Sequence, residues 1–223
     1  MLFRSLERHF PDAATVSFGG GLKEARMPDE TAADVQELGR CARERVQAFY
    51  ERTGRRLHME IEPGTYVMAN AGYAVTSVLD KKSTGDTGFN FLILDGGMEI
   101  NARPLLYGSR HPFYVVSRAG ALLSSEFMAP AQGGYRAVVA GRCCESGDAQ
   151  TLDETGLSQD RAMAEPDLDD YVLIGGVGAY CSAMAPMNYN SHVRAPEVLL
   201  TAQGELRLVR RRQTLEELVL GEI

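Results

Sequence analysis

The sequence of 223 residues has no tryptophan, three lysines and no long apolar run. No stretch approaches the ~20 consecutive apolar residues that a helix needs to span a bilayer, so we predict no membrane segment. Charged residues are spread through the first eight positions, which therefore lack the apolar core of a secretion signal. These features predict a cytoplasmic protein.

Cysteine and histidine are also scarce. The four cysteines, Cys41, Cys143, Cys144 and Cys181, have no spacing that suggests a disulfide framework. We expect reduced thiols, as is usual in the cytosol. No Cys-x-x-Cys pair and no histidine cluster occurs, so we predict no metal site.

Acidic residues outnumber basic residues. Aspartate and glutamate number 30 against 23 lysines and arginines, which gives a net charge of −7 and a pI of about 5.2. A nucleic-acid-binding surface needs a basic excess, so we predict no nucleic-acid partner. The one basic cluster, Arg210 to Arg212, is typical of a solvated strand end.

The first third of the chain has an α/β pattern. An apolar strand is predicted over residues 14–18 and is followed by Gly19, Gly20 and Gly21. A helix with a capping box of Thr31 and Asp34 should then run to Gly54, before a second strand over 57–61. Strand, helix and strand in this order predict a parallel pair. We interpret residues 1–65 as the last strand–helix units of a (β/α)₈ barrel, whose other units are not in the sequence.

Residues 66–223 have the pattern of an all-β domain. We predict an antiparallel sandwich or barrel-like arrangement, because short apolar runs alternate with polar or glycine-bearing turns. An acidic stretch over 146–169 is predicted to be an irregular surface loop, and 213–220 a terminal helix. The predicted strands cover residues 74–79, 89–94, 113–116, 135–140, 171–174, 198–200 and 206–209.

Two glycine-bearing strand ends could bind an anion. Glycines let backbone N–H groups approach a phosphate closely, and barrels often build a phosphate site from the loops after their last two strands. The glycines at 19–21 and the sequence Glu62, Pro63, Gly64 fit that description. A flexible turn is the commoner explanation of a glycine run. Glu62 is either a turn former or an anionic partner for a heterocycle nitrogen.

A thiol and two carboxylates are concentrated at residues 143–148. Cys144, Glu145 and Asp148 are groups that transfer protons, and packing alone does not explain them. Taken singly, Cys144 could instead be a small buried residue and Asp148 a loop cap.

Taken in order, the motifs identify a family. The chain resembles the pyridoxal 5′-phosphate (PLP)-dependent ornithine, diaminopimelate and arginine decarboxylases of the alanine-racemase fold, and most closely their diaminopimelate branch. The motifs that carry the resemblance are FGGG at 18–21, EPGT at 62–65, DGGM at 95–98, RPLLYG at 103–108, CCESGD at 143–148, GAY at 178–180, NYNS at 188–191 and APEVL at 195–199.

The resemblance implies a role for each matching residue. Gly19, Gly20, Gly21 and Gly64 would hold the PLP phosphate, Glu62 would pair with the ring nitrogen, and Tyr180 would contact the cofactor. Arg103 and Tyr107 would bind a substrate carboxylate. Cys144 would return a proton to the carbon that loses CO₂, and Glu145 would bind the distal amino group. Cys144 and Glu145 would act in the partner subunit's site, which implies a homodimer.

The chain departs from the family pattern in two ways. Thr65 stands where many members have an arginine that helps to bind the substrate. The lysine that holds PLP covalently is absent, since Lys23, Lys81 and Lys82 lie in other contexts. We therefore expect the chain to be the C-terminal part of the enzyme and inactive alone.

Three functions remain open. The first is decarboxylation of meso-2,6-diaminopimelate to L-lysine. The second is decarboxylation of ornithine, arginine, lysine or carboxynorspermidine on the same fold. The third is a non-catalytic dimerisation module, against which the retained Cys144 and Glu145 argue.

Overall fold

The computed structural model describes residues 2–128 and 134–223. The chain divides into two compact units. The first comprises Met1–Ala25 and Asp29–Ala69, and the second comprises Arg26–Pro28 and Asn70–Ile223. Among the described residues, no helix combines the length and apolar character needed to cross a membrane.

The first unit contains a parallel strand–helix–strand arrangement, as predicted. Strands β1 and β2 pair in parallel, with Ser17 opposite Glu60. The side chain of Phe49, on helix α2, is fully buried and packs with Leu6 and Val16. Leu6 belongs to a first helix that the sequence pattern did not predict. The elements are α1 (Leu2–His9), β1 (Thr15–Ser17), α2 (Val35–Thr53), β2 (His58–Glu60) and α3 (Thr65–Met68).

The ends of α2 are set by local hydrogen bonds. Gly54 closes the helix as predicted, with φ of 68° and its N–H bonded to the Tyr50 carbonyl at 2.7 Å. The predicted capping box at Thr31 is wrong. Asp34 is the N-cap, and its carboxylate accepts the N–H groups of Gln36 and Glu37 at 3.0 Å each. Asp34 caps the helix because it directly precedes the first helical residue.

The second unit is built around one seven-stranded sheet. Its elements are β3 (Tyr73–Ser83), β4 (Asn90–Leu94), α4 (Arg103–Tyr107), β5 (Phe113–Val116), β6 (Leu122–Ser125), β7 (Tyr135–Ala140), β8 (Arg161–Met163), β9 (Tyr171–Gly175), β10 (Glu197–Leu200), β11 (Leu206–Arg210) and α5 (Leu215–Leu218). The strand order is β6-β5-β9-β3-β4-β7-β8, and β10 and β11 form a separate antiparallel pair. Strands β4 and β7 are parallel, which corrects the expectation of an antiparallel domain at that pair.

The sheet closes almost completely into a barrel. Its two edge strands, β6 and β8, are bridged by a hydrogen bond from the Ala164 N–H to the Ser124 hydroxyl at 2.8 Å. An ion pair between Arg161 and Glu126 at 3.0 Å joins the same edges. Alternate side chains of the strands point inward and form the core, as in other small barrels. The core residues are Val78, Leu92, Leu94, Phe113, Val115, Ala137, Val139, Met163, Val172 and Ile174.

The predicted irregular surface loop at 146–169 is wrong in two respects. It contains β8, and part of it is buried, since Gln150 and Thr151 are each 1% exposed. The Gln150 carboxamide accepts a hydrogen bond from the Asn101 side chain at 3.0 Å and donates one to the Asn101 carbonyl at 3.1 Å. Polar residues can be buried when such partners exist, and the local sequence does not reveal the partners.

Candidate active site

The predicted site residues are divided between the two units. The first unit carries the proposed cofactor residues Gly19, Gly20, Gly21, Glu62 and Gly64. The second carries Arg103, Tyr107, Cys144, Glu145 and Tyr180. Each group has a local geometry of its own.

The glycine loop after β1 has no room for a side chain at the point where it lies closest to the Glu62 backbone. Gly19 and Gly21 have positive φ values of 69° and 78°, which favour glycine. A Cβ on Gly20 would lie 2.3 Å from the carbonyl oxygen of Glu62. The loop therefore has to present backbone, which is what a phosphate-binding loop requires. This cradle fits the phosphate of PLP, although the loop is separated from α2 by an irregular segment rather than leading into it.

Glu62 is held beside the glycine loop. Its carboxylate accepts a hydrogen bond from the Ser17 hydroxyl at 2.5 Å, and its N–H donates to the Gly19 carbonyl at 2.9 Å. The Ser17 hydroxyl also accepts the Gly19 N–H at 3.0 Å. Glu62 is exposed, so the oriented anion is accessible to a protonated ring nitrogen. Gly64 follows it and directly precedes α3.

Ser17 is a further residue of this site that the sequence alone does not reveal. It has no motif of its own, and only the parallel pairing of β1 with β2 brings it to Glu62.

The loop at residues 143–148 follows β7 and is pinned from inside by Asp148. Its carboxylate is 4% exposed and accepts the N–H groups of Met98 at 2.6 Å and Cys143 at 2.7 Å. A Cβ on Gly97 or Gly141 would lie 2.0 Å or 2.3 Å from this carboxylate, so both positions must be glycine. Asp148 thus links the DGGM motif to the loop that bears Cys144. Burial raises the pKa of Asp148, and these two N–H donors oppose that effect.

Glu99, Cys143 and Asp148 form a buried cluster of groups that can bind metals, with ligand atoms within 4.8 Å of one another. Glu99 accepts the Gly97 N–H at 2.8 Å and the Arg142 guanidinium at 3.2 Å. Since the carboxylates already accept protein donors, the cluster is explained as an anchor for the loop.

The two adjacent cysteines have opposite environments. Cys143 is buried, and burial raises the pKa of its thiol to about 12. Cys144 is exposed, and its N–H donates to the Asn190 side-chain oxygen at 2.7 Å. Of this pair, only Cys144 presents a thiol to solvent, which excludes the buried structural role considered for it from sequence.

Glu145 is oriented by three donors. The Tyr189 hydroxyl donates to Oε2 at 3.0 Å, and the Ser146 hydroxyl and Gly147 N–H donate to Oε1 at 3.2 Å and 3.3 Å. The Gly147 N–H, then Tyr189 and Ser146, lower the pKa of this carboxyl and so favour its anionic form. An exposed, oriented carboxylate next to an exposed thiol can bind a cation while the thiol delivers a proton.

Arg103 and Tyr107 lie on the short helix α4. The guanidinium carbon of Arg103 is 4.9 Å from the centre of the Tyr107 ring, a cation–π distance. The Arg103 Nε is buried and has no hydrogen-bond partner in the part of the chain that is described. Tyr107 is 59% exposed, so its ring lies at the surface and not in the core.

Tyr180 is exposed and has a φ of 58°, an unusual value for a residue other than glycine. His111, by contrast, is fully buried and bonds through Nδ1 to the Gly175 carbonyl at 2.9 Å, contacts that give it a structural role.

Replacement of Asp148 by alanine should destabilise the second unit. The N–H groups of Met98 and Cys143 would lose their acceptor, and each such loss costs about 1–3 kcal/mol. We expect the Tm to fall by roughly 5–15 °C for a chain of this size. Thermal unfolding followed by circular dichroism tests this. Asp86→Ala, in the exposed turn between β3 and β4, is the matched control, and an equal effect of both variants would contradict the pinning role.

Comparison with known proteins decides the family. Residues 65–178, just over half of the chain, match the model described as pyridoxal-dependent decarboxylase, C-terminal sheet domain. The chain belongs to the pyridoxal-dependent decarboxylases. The matched range begins at α3, contains all seven strands of the barrel and ends at the start of the GAY motif, so the seven-stranded sheet is the sheet domain of this family.

Relatives of known function are similar along almost the whole chain. The chain is 37% identical over 215 residues to the diaminopimelate decarboxylase of Escherichia coli strain K12, covering 95% of this chain and 48% of that protein. It is 34% identical over 215 residues to the diaminopimelate decarboxylase of Streptomyces coelicolor, with 95% and 46% covered. The chain thus spans about half the length of the curated relatives it matches.

Solved decarboxylase structures have the same fold. A crystal structure of diaminopimelate decarboxylase superposes with a TM-score of 0.87 at 34% identity, covering 98% of this chain and 50% of that one. The Helicobacter pylori diaminopimelate decarboxylase, described as complexed with L-lysine, superposes with a TM-score of 0.73 at 28% identity, covering 97% and 46%.

Proposed function

We propose that this chain supplies the sheet domain and part of the cofactor site of a PLP-dependent enzyme that decarboxylates meso-2,6-diaminopimelate to L-lysine. The observation that carries the proposal is the loop at 143–148, which presents an exposed thiol and an oriented, exposed carboxylate on adjacent residues. The similarity to diaminopimelate decarboxylases along 95% of the chain supports the choice of substrate.

The proposed roles follow the local chemistry. Bound PLP would supply the electron sink for the electron pair that the leaving carboxylate gives up. The glycine loop and Gly64 would hold its phosphate, Glu62 would keep its ring nitrogen protonated, and Tyr180 would contact it. Arg103, with Tyr107 beside it, would bind the carboxylate that is retained.

Cys144 would deliver the thiol proton to the carbon that loses CO₂. Its exposure allows the thiol to regain a proton from water. Glu145 would bind the distal ammonium group. The proposal includes a homodimer in which these two residues complete the partner's site, and a first unit that represents the last strand–helix units of a (β/α)₈ barrel.

A chimera tests this function, because the chain spans about half of its relatives. The chain would replace the matching 48% of the E. coli enzyme, and CO₂ release would be measured with meso-diaminopimelate, L-lysine, L-ornithine and L-arginine. We expect kcat/KM for meso-diaminopimelate to exceed the others by at least about 100-fold, since a site with paired polar groups rejects analogues that lack them. A preference for another amino acid would favour the second function, and a folded, PLP-bound but inactive chimera would favour a non-catalytic module.

A further inference from the structure

We propose that Tyr189 and Asn190 are positioning residues that hold the loop bearing Cys144 and Glu145 in its working geometry. The inference rests on the proposed function of that loop. Nothing in the motif NYNS assigns these side chains a role in the reaction, and neither would touch the reacting atoms.

The contacts form a two-point clamp. Asn190 Oδ1 accepts the Cys144 N–H at 2.7 Å, and the Tyr189 hydroxyl donates to Glu145 Oε2 at 3.0 Å. Two consecutive residues therefore hold the backbone of one loop residue and the side chain of the next. The Asn190 contact fixes the backbone position from which the Cys144 thiol projects. The Tyr189 contact fixes the direction of the Glu145 carboxylate.

The clamp residues lie in a turn with unusual backbone geometry. Asn188, Asn190 and Ser191 have φ values of 64°, 49° and 63°, and they are three of the five residues other than glycine with positive φ in the described chain. Such conformations cost free energy and persist where surrounding contacts require them. The turn is tied down separately by the Asn188 side chain, which donates to the His192 carbonyl at 3.0 Å and to Gln213 at 2.6 Å.

The left-handed turn is what brings both side chains to the loop. With Asn190 in this conformation, the side chains of residues 189 and 190 both reach residues 144 and 145, which are more than 40 positions away. Asparagine tolerates this backbone better than most residues and also carries the required acceptor. Asn190 thus satisfies a backbone and a side-chain requirement at once.

The Tyr189 contact also bears on the charge of Glu145. The Gly147 N–H lowers the pKa of Glu145 most, and the Tyr189 hydroxyl, which donates to the anionic form, is the next contribution. Reciprocally, Glu145 raises the pKa of Tyr189, with smaller contributions from burial and from Cys143 and Cys144. A carboxylate kept ionised and aimed is suited to bind an ammonium group.

Hydrogen exchange of the 223-residue chain tests the Asn190 contact. Asn190→Gly keeps the left-handed backbone and removes the acceptor, whereas Asn190→Asp keeps both. We expect the Cys144 amide to exchange roughly three- to tenfold faster in Asn190→Gly, since one net hydrogen bond is lost, and near the original rate in Asn190→Asp. The His192 amide, which bonds to the Tyr189 carbonyl at 3.1 Å, reports whether the turn remains folded.

NMR titration of the Glu145 carboxyl and of the Tyr189 phenol in the same chain tests the Tyr189 contact. In Tyr189→Phe the pKa of Glu145 should rise toward its ordinary value, and in Glu145→Gln the pKa of Tyr189 should fall. Tyr107→Phe, a tyrosine on α4, is the matched control and should move neither. A purely structural role for Tyr189 would not produce this reciprocal pair of shifts.

The outcomes separate this inference from the proposed function. Unchanged Cys144 exchange in Asn190→Gly with a protected His192 amide, or no reciprocal pKa shifts, overturns the clamp even if the chimera decarboxylates its substrate. Faster exchange and reciprocal shifts support the clamp even if the chimera proves inactive, in which case the proposed function fails instead.

Discussion

Replacement of Cys144 by alanine in the chimera is expected to lower kcat by about 10²–10³-fold and to leave PLP binding intact. A positioned acid contributes about 10²–10⁴-fold to a reaction that needs a proton transfer. The thiol is the donor in this account, it is exposed, and its backbone is held by Asn190. Steady-state CO₂ release and the cofactor's absorbance spectrum measure the two effects separately.

Two controls make the result specific to this thiol. Cys41→Ala removes the exposed thiol on α2 and should leave kcat unchanged. Cys144→Ser retains a hydroxyl at the same point and should fall between the original chain and Cys144→Ala. If Cys144→Ala turns over substrate at the original rate, another group supplies the proton and the assigned role is wrong.

The second large effect is a dependence of stability on pH that originates at His111. Burial is the main reason why the pKa of His111 is lowered from 6.5 to about 4, and nearby arginines act in the same direction. The unfolded chain binds a proton below pH 6.5, while the folded chain does not until about pH 4. The free energy of unfolding should therefore fall as the pH decreases through this window, by about 3 kcal/mol in total from this residue.

Urea unfolding between pH 7 and pH 4 measures this contribution. His111→Gln removes the titrating group, so the difference in unfolding free energy between the original chain and the variant should shrink as the pH falls. His58→Gln, at an exposed position, should retain the pH dependence of the original chain. A constant difference between His111→Gln and the original chain across the range would show that His111 is protonated alike in both states.

Local pattern predicted much of the fold because many elements are specified by adjacent residues. The parallel β1–α2–β2 arrangement, the Gly54 cap and the main strands of the barrel follow from apolar periodicity and turn residues. Strands β6 and β8 were missed because each is only three or four residues long, even though β6 pairs with the strand directly before it, β5. The parallel pairing of β4 with β7 was not predicted either, because no local signal fixes which strands become neighbours.

The candidate site could also be predicted from the sequence only in part. Motif order identified the family and the loop that bears Cys144 and Glu145. It did not reveal Ser17, Tyr189 or Asn190, because their roles depend on contacts across more than 40 residues of sequence. Asp148 was expected either to transfer protons or to cap the loop, and its burial between Gly97 and Gly141 depends on the folded barrel.

The most direct test of the account is CO₂ release from carboxyl-labelled meso-diaminopimelate by the chimera that carries this chain in place of the matching part of the E. coli enzyme. Circular dichroism and PLP absorbance would first establish that the chimera is folded and loaded with cofactor. We expect release of CO₂ with matching formation of L-lysine, lost when Cys144 is replaced by alanine. A folded, cofactor-loaded chimera that forms no lysine would contradict the account.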